Sequence, residues 1–194
     1  MKKFLTLGGF LFVQLCVFAQ PFTRQDTLRG SITPERAWWD LSYYDLAIDV
    51  DVEGKSLKGT NTIYFFVIIP AQVMQIDLQE PLTITHVDYK GQKLSYTREG
   101  NVYHIKFPYP LVAGDRDKIT IQYEGIPVVA VRPPWDGGLT WSKDDNDYPF
   151  VATSCQGLGA SVWWPCKDHM YDEPDSMLIR ITAPPSLTDV SNGR

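Results

Sequence analysis

Histidine is scarce in this chain: His86, His104 and His169 are the only three in 194 residues, and none begins a His-Glu-x-x-His pattern. A catalytic zinc site of that kind needs two histidines one helical turn apart plus a carboxylate, so this chain is expected to hold no such metal. Cysteine is equally rare, with Cys16, Cys155 and Cys166 its only three. A disulfide framework is therefore excluded, and at most one bridge can form in the body of the chain. Basic residues number 18 against 23 acidic ones, giving a formal charge of −5. With no basic stripe, nucleic acid is excluded as a partner. Helical periodicity is nearly absent, as are repeats, low-complexity tracts and a linker that would divide the chain.

Long apolar runs are missing too, except at the start. Lys2 and Lys3 precede a largely apolar stretch from Phe4 to Phe18, and Val17-Phe18-Ala19 offers a small residue at a cut. That is the pattern of a secretory signal peptide over residues 1–19, too short to span a bilayer comfortably. Cleavage removes two lysines and no acid. The remaining chain is expected to be exported, to the periplasm or beyond, with no membrane span left. Export permits a bridge between Cys155 and Cys166, but a pair of buried thiols fits the sequence as well.

What is present is strand. Residues 20–41 read as an irregular lead-in, with one helical turn at Thr33-Pro34-Glu35 before Trp38 and Trp39, which are expected to pack onto the domain. From Tyr44 to Val52 apolar residues alternate with acidic or small ones, as in a strand with one wet face. Thr60 to Ile69 returns as its hairpin partner, with apolar residues on both faces, and is expected to be covered on both. Short β-branched or aromatic runs follow at 73–78, 82–89, 94–98, 102–107, 118–123 and 177–182. Lys90-Gly91-Gln92 and Glu99-Gly100-Asn101 supply hairpin turns, and Pro108-Tyr109-Pro110 punctuates. Residues 131–147 read as an irregular excursion whose tip carries Asp144, Asp145 and Asp147. Those oxygens suit calcium, but not at EF-hand spacing, and a solvated tip is expected. Spacing of this kind predicts an all-β fold, a curved, saddle-like multi-sheet sandwich with long irregular loops.

The densest chemistry lies between Tyr148 and Ser176. Gly157 and Gly159 permit positive φ within a small-residue run, Trp163 and Trp164 add apolar area, and Pro165 holds Trp164 extended. Asp168, Asp172, Glu173 and Asp175 do not separate into an acid and a base. They are read as solvated, or neutralised by Lys167 and Arg180. Ser154 and Ser161 lie in no nucleophile elbow.

This stretch resembles the amino-terminal domain of M1-family zinc aminopeptidases. The likeness rests on Ser154-Cys155-Gln156-Gly157, then Pro165-Cys166-Lys167-Asp168, then Asp172-Glu173-Pro174. Pro133-Pro134-Trp135-Asp136-Gly137-Gly138 upstream matches the bacterial branch of the family. The resemblance runs from about Tyr43 to the end and implies an amino-terminal-like β domain over residues 42–194, incomplete at its C-terminal end.

By match, Gln156 would help hold the amino terminus of a peptide substrate while Gly157 leaves it room. Trp163, Trp164, Pro165, Cys166 and Asp168 would support the loop. The family's Gly-x-Met-Glu-Asn motif is absent along with its zinc ligands. The resemblance therefore implies a non-catalytic piece, inactive alone, cut before a catalytic domain that holds zinc and meets the peptide. Such a piece would expose an apolar patch and an unpaired edge strand near its end. The competing expectation is a free-standing secreted β module that binds a peptide, a glycan or a partner protein.

Overall fold

The computed structural model describes residues 21–193, so the expected leader lies outside the described residues. The lead-in is not irregular. Helix α1 spans Arg24–Gly30 and opens with a capping box: the Thr23 hydroxyl accepts from the Asp26 N–H at 3.2 Å, and the Asp26 carboxylate accepts from the Thr23 N–H at 2.8 Å. Buried Leu28 pins this short helix to the domain. Helix α2, Pro34–Ala37, is the single turn expected after Thr33. It delivers Trp38 and Trp39, only 1% and 0% exposed, into the core.

Eleven strands follow: β1 (Trp39–Asp51), β2 (Ser56–Val67), β3 (Ala71–Asp77), β4 (Thr83–Tyr89), β5 (Gln92–Lys93), β6 (Ser95–Glu99), β7 (Val102–Leu111), β8 (Arg116–Gly125), β9 (Gly138–Lys143), β10 (Pro149–Ser154) and β11 (Ser176–Thr182). They form a six-stranded sheet in the order β11-β1-β2-β8-β4-β5, a three-stranded sheet β3-β7-β6, and the β9–β10 hairpin. Among these pairings only β11 with β1 is parallel. The fold is all-β and multi-sheet, and among the described residues no sheet closes into a barrel.

The core lies between the inner face of the large sheet and the three-stranded sheet. Leu46, Ile63, Phe65 and Ile121 face Met74, Ile76, Ile105 and Phe107, with Trp38 meeting Phe65 and Phe107 edge-on at 5.8 and 5.9 Å. Strict alternation on β2 sends Tyr64 and Phe66 the other way. They are half-buried and Ile68 is exposed, so among the described residues β2 is covered on one face only.

Two other expectations change. β7 continues through Pro108-Tyr109-Pro110, because its register with β3 jumps between Val73–Lys106 and Ala71–Leu111 and leaves the prolines free of ladder bonds. The excursion at 131–147 is structured in its second half: Trp141 pairs with Val151 across the β9–β10 hairpin. Its acidic tip is a turn, in which the Asp144 carboxylate accepts from the Asn146 and Tyr148 N–H groups at 2.8 and 2.9 Å. At the far side, β11 is an edge strand, and its Met177 and Leu178 are exposed.

Candidate functional site

Strand β10 leads straight into a tight turn at Cys155–Leu158. The Cys155 carbonyl accepts from the N–H groups of Leu158 at 3.2 Å and Gly159 at 2.7 Å. Gly157 has φ 72°, the positive value that the third residue of a type II turn requires. Gln156 and Gly157 form the exposed tip. The Gln156 side chain makes no hydrogen bond to any described residue, so its carbonyl and amide groups point to solvent with full capacity.

The turn itself is braced from several sides. An Arg29 N–H from α1 donates to the Gly157 carbonyl. The Gln79 side-chain amide donates to the Leu158 carbonyl at 2.5 Å and to the Ser161 hydroxyl at 3.0 Å. Leu158 rests on Gly137, where a Cβ would come within 2.6 Å of it. Behind the turn, Gly159 has φ 83° and leads into a 3-10 turn at Ala160–Val162.

Asp168 sits under that turn, accepting from the Ser161 N–H at 3.1 Å and its hydroxyl at 2.6 Å. The Asp168 N–H donates in turn to Asp77 at 2.9 Å. Asp77 is buried and gripped by fully buried Arg36 through two bonds of 2.7 and 2.8 Å, and it also accepts from the Gln75 amide at 3.0 Å. Burial raises the Asp77 pKa, and Arg36, Gln75 and the Asp168 N–H oppose that rise. The backbones of Asp77 and Cys166 exchange a pair of bonds at 2.8 and 3.0 Å, tying the loop to the end of β3.

The remaining loop residues named from the sequence lie in the same cluster. Trp164 is buried edge-on against Tyr44 at 4.8 Å, and half-buried Trp163 packs on Trp164 at 6.2 Å. The Pro165 carbonyl accepts from Asn61 at 2.9 Å. Cys166 is buried and Cys155 exposed; both thiols are free, so they form no bridge. Burial pushes the Cys166 thiol well above its ordinary range.

Lys167 is buried as well. Its ammonium sits 4.0 Å over the Trp39 ring, donates to the Trp39 carbonyl at 2.5 Å, and pairs with Asp172. Burial lowers its pKa, and Asp172 opposes that. Lys167 thus neutralises a loop carboxylate, whereas Arg180 pairs with Asp45 of β1 and not with the loop.

Gln79, Asp77, Arg36, Arg29 and Asn61 escape the sequence pattern. In the run Gln75-Ile-Asp-Leu-Gln79 the alternating polar residues look like a wet strand face. Here the loop and the two helices cover that face, so every one of them is buried and bonded.

Among the described residues no three of His, Cys, Asp or Glu converge to hold a metal ion. His169 is engaged elsewhere: it contacts the Gly30 carbonyl at 3.2 Å and accepts from the Tyr171 N–H. The site offers hydrogen-bonding groups on a braced tip, and its residues do not fit a zinc ion.

No family model matches the chain, and no curated protein does. Solved structures do. An M1 zinc metallopeptidase from Deinococcus radiodurans bound to a Tyr-Ser-Ala substrate shares 22% identity at TM-score 0.58, over 79% of this chain and 35% of that one. A two-domain M1 zinc metallopeptidase bound to L-arginine shares 21% at TM-score 0.61, over 82% and 36%. Native leukotriene A4 hydrolase from Saccharomyces cerevisiae shares 16% at TM-score 0.62, over 85% and 27%. At these identities the common property is the fold. The chain spans between about a quarter and a little over a third of the length of these neighbours.

Proposed function

We propose that this chain is the non-catalytic amino-terminal β domain of an exported M1-type zinc aminopeptidase, which covers the active site and presents Gln156 to the amino terminus of a peptide. The observation that carries this is the Gln156–Gly157 tip: an unbonded, neutral hydrogen-bonding side chain on a turn braced by Arg29 of α1, by Gln79 just after β3, and by the loop behind it. A side-chain carbonyl accepts from an ammonium without forming an ion pair, which suits recognition of a free amino terminus. Preorganisation of such a group is what binding requires, since a tip that had to order itself would bind more weakly. Gly157 keeps the approach clear because its missing Cβ faces open space. The fold shared with M1 zinc metallopeptidases supports the assignment, as does the leader pattern for export.

In this reading zinc, peptide-bond chemistry and most of the substrate contacts belong to a catalytic domain outside the described residues. The role of this chain is to bind and orient. The test is to capture the natural-length protein from its source with an antibody raised against residues 21–193, then assay it on aminoacyl chromogenic substrates. The expected result is a product longer than this chain whose chelator-sensitive turnover requires a free amino terminus. In it, Gln156→Ala should raise KM at least tenfold. A natural product with no such activity, or one indifferent to Gln156→Ala, overturns the proposal.

A further inference from the structure

A cavity of about 170 Å³ lies behind the Gln156 turn, bounded by α1, the end of β3, the turn between β6 and β7, and the loop from Leu158 to Asp168. It is smaller than the sites that take drug-sized molecules, and it has room for several waters or one small solute. Gln156 does not line it. Arg36 does, and Arg36 is wholly buried.

Arg36 has one donor to spare. One terminal nitrogen donates to the Arg29 and Ser31 carbonyls at 3.2 and 2.8 Å, and the other donates to both Asp77 oxygens at 2.7 and 2.8 Å. The Nε–H has no partner among the described residues. Asp77 cannot supply one, because its two oxygens already accept from Arg36, Gln75 and the Asp168 N–H. Buried donors are nearly always bonded in native proteins, so this one calls for an acceptor that enters from the cavity.

Spare capacity elsewhere in the lining is of both kinds. Buried Gln79 bonds through its amide nitrogen, and its side-chain oxygen accepts from no described residue. Asp168 uses one oxygen for Ser161 and Asp26 uses one for Thr23, which leaves each with a second. On the donor side, Arg29 bonds the Gly157 carbonyl and pairs with no carboxylate among the described residues, while the amide nitrogen of Asn101 is uncommitted. The Arg36 and Asp77 charges cancel, so Arg29 remains against Asp26 and Asp168. A simple anion entering here meets those two carboxylates, and a simple cation meets two guanidiniums. A solute that carries both charges satisfies both sets.

We propose that this cavity binds a small free α-amino acid. Its carboxylate would accept from the Arg36 Nε–H, Arg29 and Asn101, and its ammonium would donate to the Gln79 oxygen and the second oxygens of Asp168 and Asp26. A short side chain would meet Val102 and Leu158, the two apolar residues of the lining. The proposal does not rest on the aminopeptidase reading, since the cavity lies behind the Gln156 tip and excludes it.

The test is titration of the purified chain with L-alanine, followed by calorimetry and NMR, with N-acetyl-L-alanine and L-alaninamide as probes that each lack one charge. Alanine should bind saturably, move the Arg36 Nε–H resonance and the amides of Leu158 and Ser161, and raise the urea midpoint. Each single-charge probe should bind at least tenfold more weakly. Arg29→Ala should weaken alanine at least fivefold and narrow its lead over alaninamide, which a purely structural role for Arg29 would not do. Gln156→Ala should leave binding unchanged, which separates this site from the tip. No saturable binding at tens of millimolar alanine overturns the proposal, and the cavity then holds water only. So does equal binding of either single-charge probe, an Arg36 Nε–H resonance that does not move, or binding lost in Gln156→Ala.

Discussion

The Asp168 carboxylate occupies the space where a side chain on residue 159 would begin: a Cβ built on Gly159 would lie 2.1 Å from one of its oxygens. The same oxygen accepts from Ser161. Residue 159 also has φ 83° and ψ 178°, a region only glycine enters easily. Glycine there lets the carboxylate approach, and the carboxylate organises the turn behind Gln156.

Gly159→Ala should therefore cost about 2–4 kcal/mol through backbone strain together with the lost Asp168–Ser161 bonds. Gly157→Ala, where the space is open, should cost only about 1 kcal/mol from its positive φ. Urea unfolding of the two variants side by side measures the difference. Equal costs would mean that Asp168 does not constrain residue 159.

The buried Arg36–Asp77 pair supports a second prediction. Arg36→Ala should destabilise by about 3–5 kcal/mol, because it leaves Asp77 buried without its cation. A buried ion pair can often be exchanged for apolar residues, but here Asp77 also accepts from Gln75 and from the Asp168 N–H. The double variant Arg36→Met, Asp77→Leu should accordingly stay well below the parent in urea midpoint.

Thiol chemistry distinguishes the two loop cysteines. In the chain from residue 21, exposed Cys155, whose thiol partial burial also pushes up, should react slowly with a disulfide reagent such as Ellman's reagent at neutral pH but still ahead of Cys166, which reacts only as fast as the domain opens. Burial raises the Cys166 thiol above its ordinary 9.0, so the folded state holds a proton that the unfolded state gives up. The stability linked to that proton is complete below pH 9 and is lost as pH climbs past it. Tyr44 and Tyr123, also buried, act in the same direction. Urea midpoints should fall above pH 9, and less steeply in Cys166→Ala.

Removing the Arg29 brace should act locally. Arg29→Ala leaves the sheets intact, costs about 1 kcal/mol for one hydrogen bond, and should speed amide exchange at Leu158 and Gly159 more than at Ile63 or Ile121. Uniform acceleration would mean that α1 supports the whole domain and not the turn.

Most of the fold could be read from the chain because its strands obey simple alternation and its hairpins carry glycine at the turns, as at Lys90-Gly91 and Gly100-Asn101. Failures came where the alternating pattern misled or was masked. α1 was missed because its capping box uses Asp26 where a longer acid is usual, and it buries only Leu28. β9 was hidden by the glycines before it. The exposed turn at Gln156 was visible as sequence, but its supports were not. Arg36, Gln75, Asp77 and Gln79 look like surface polar residues until the loop is laid over them, and no local pattern says that a polar face will be covered by another polar face.

The parallel pairing of β11 with β1 has a consequence for how the domain is made. Tyr43 meets Ser176 and Asp49 meets Thr182, so the outermost strand of the large sheet can join only after more than a hundred further residues have been synthesised. Contacts this distant in sequence form late and slowly. Until then the edge of β1 is open, and Asp172, four residues before β11, is not yet held against the Leu41 N–H. A chain emerging from the ribosome therefore passes through an interval in which the large sheet lacks its outermost strand. In that interval a strand from a neighbouring chain competes for the edge.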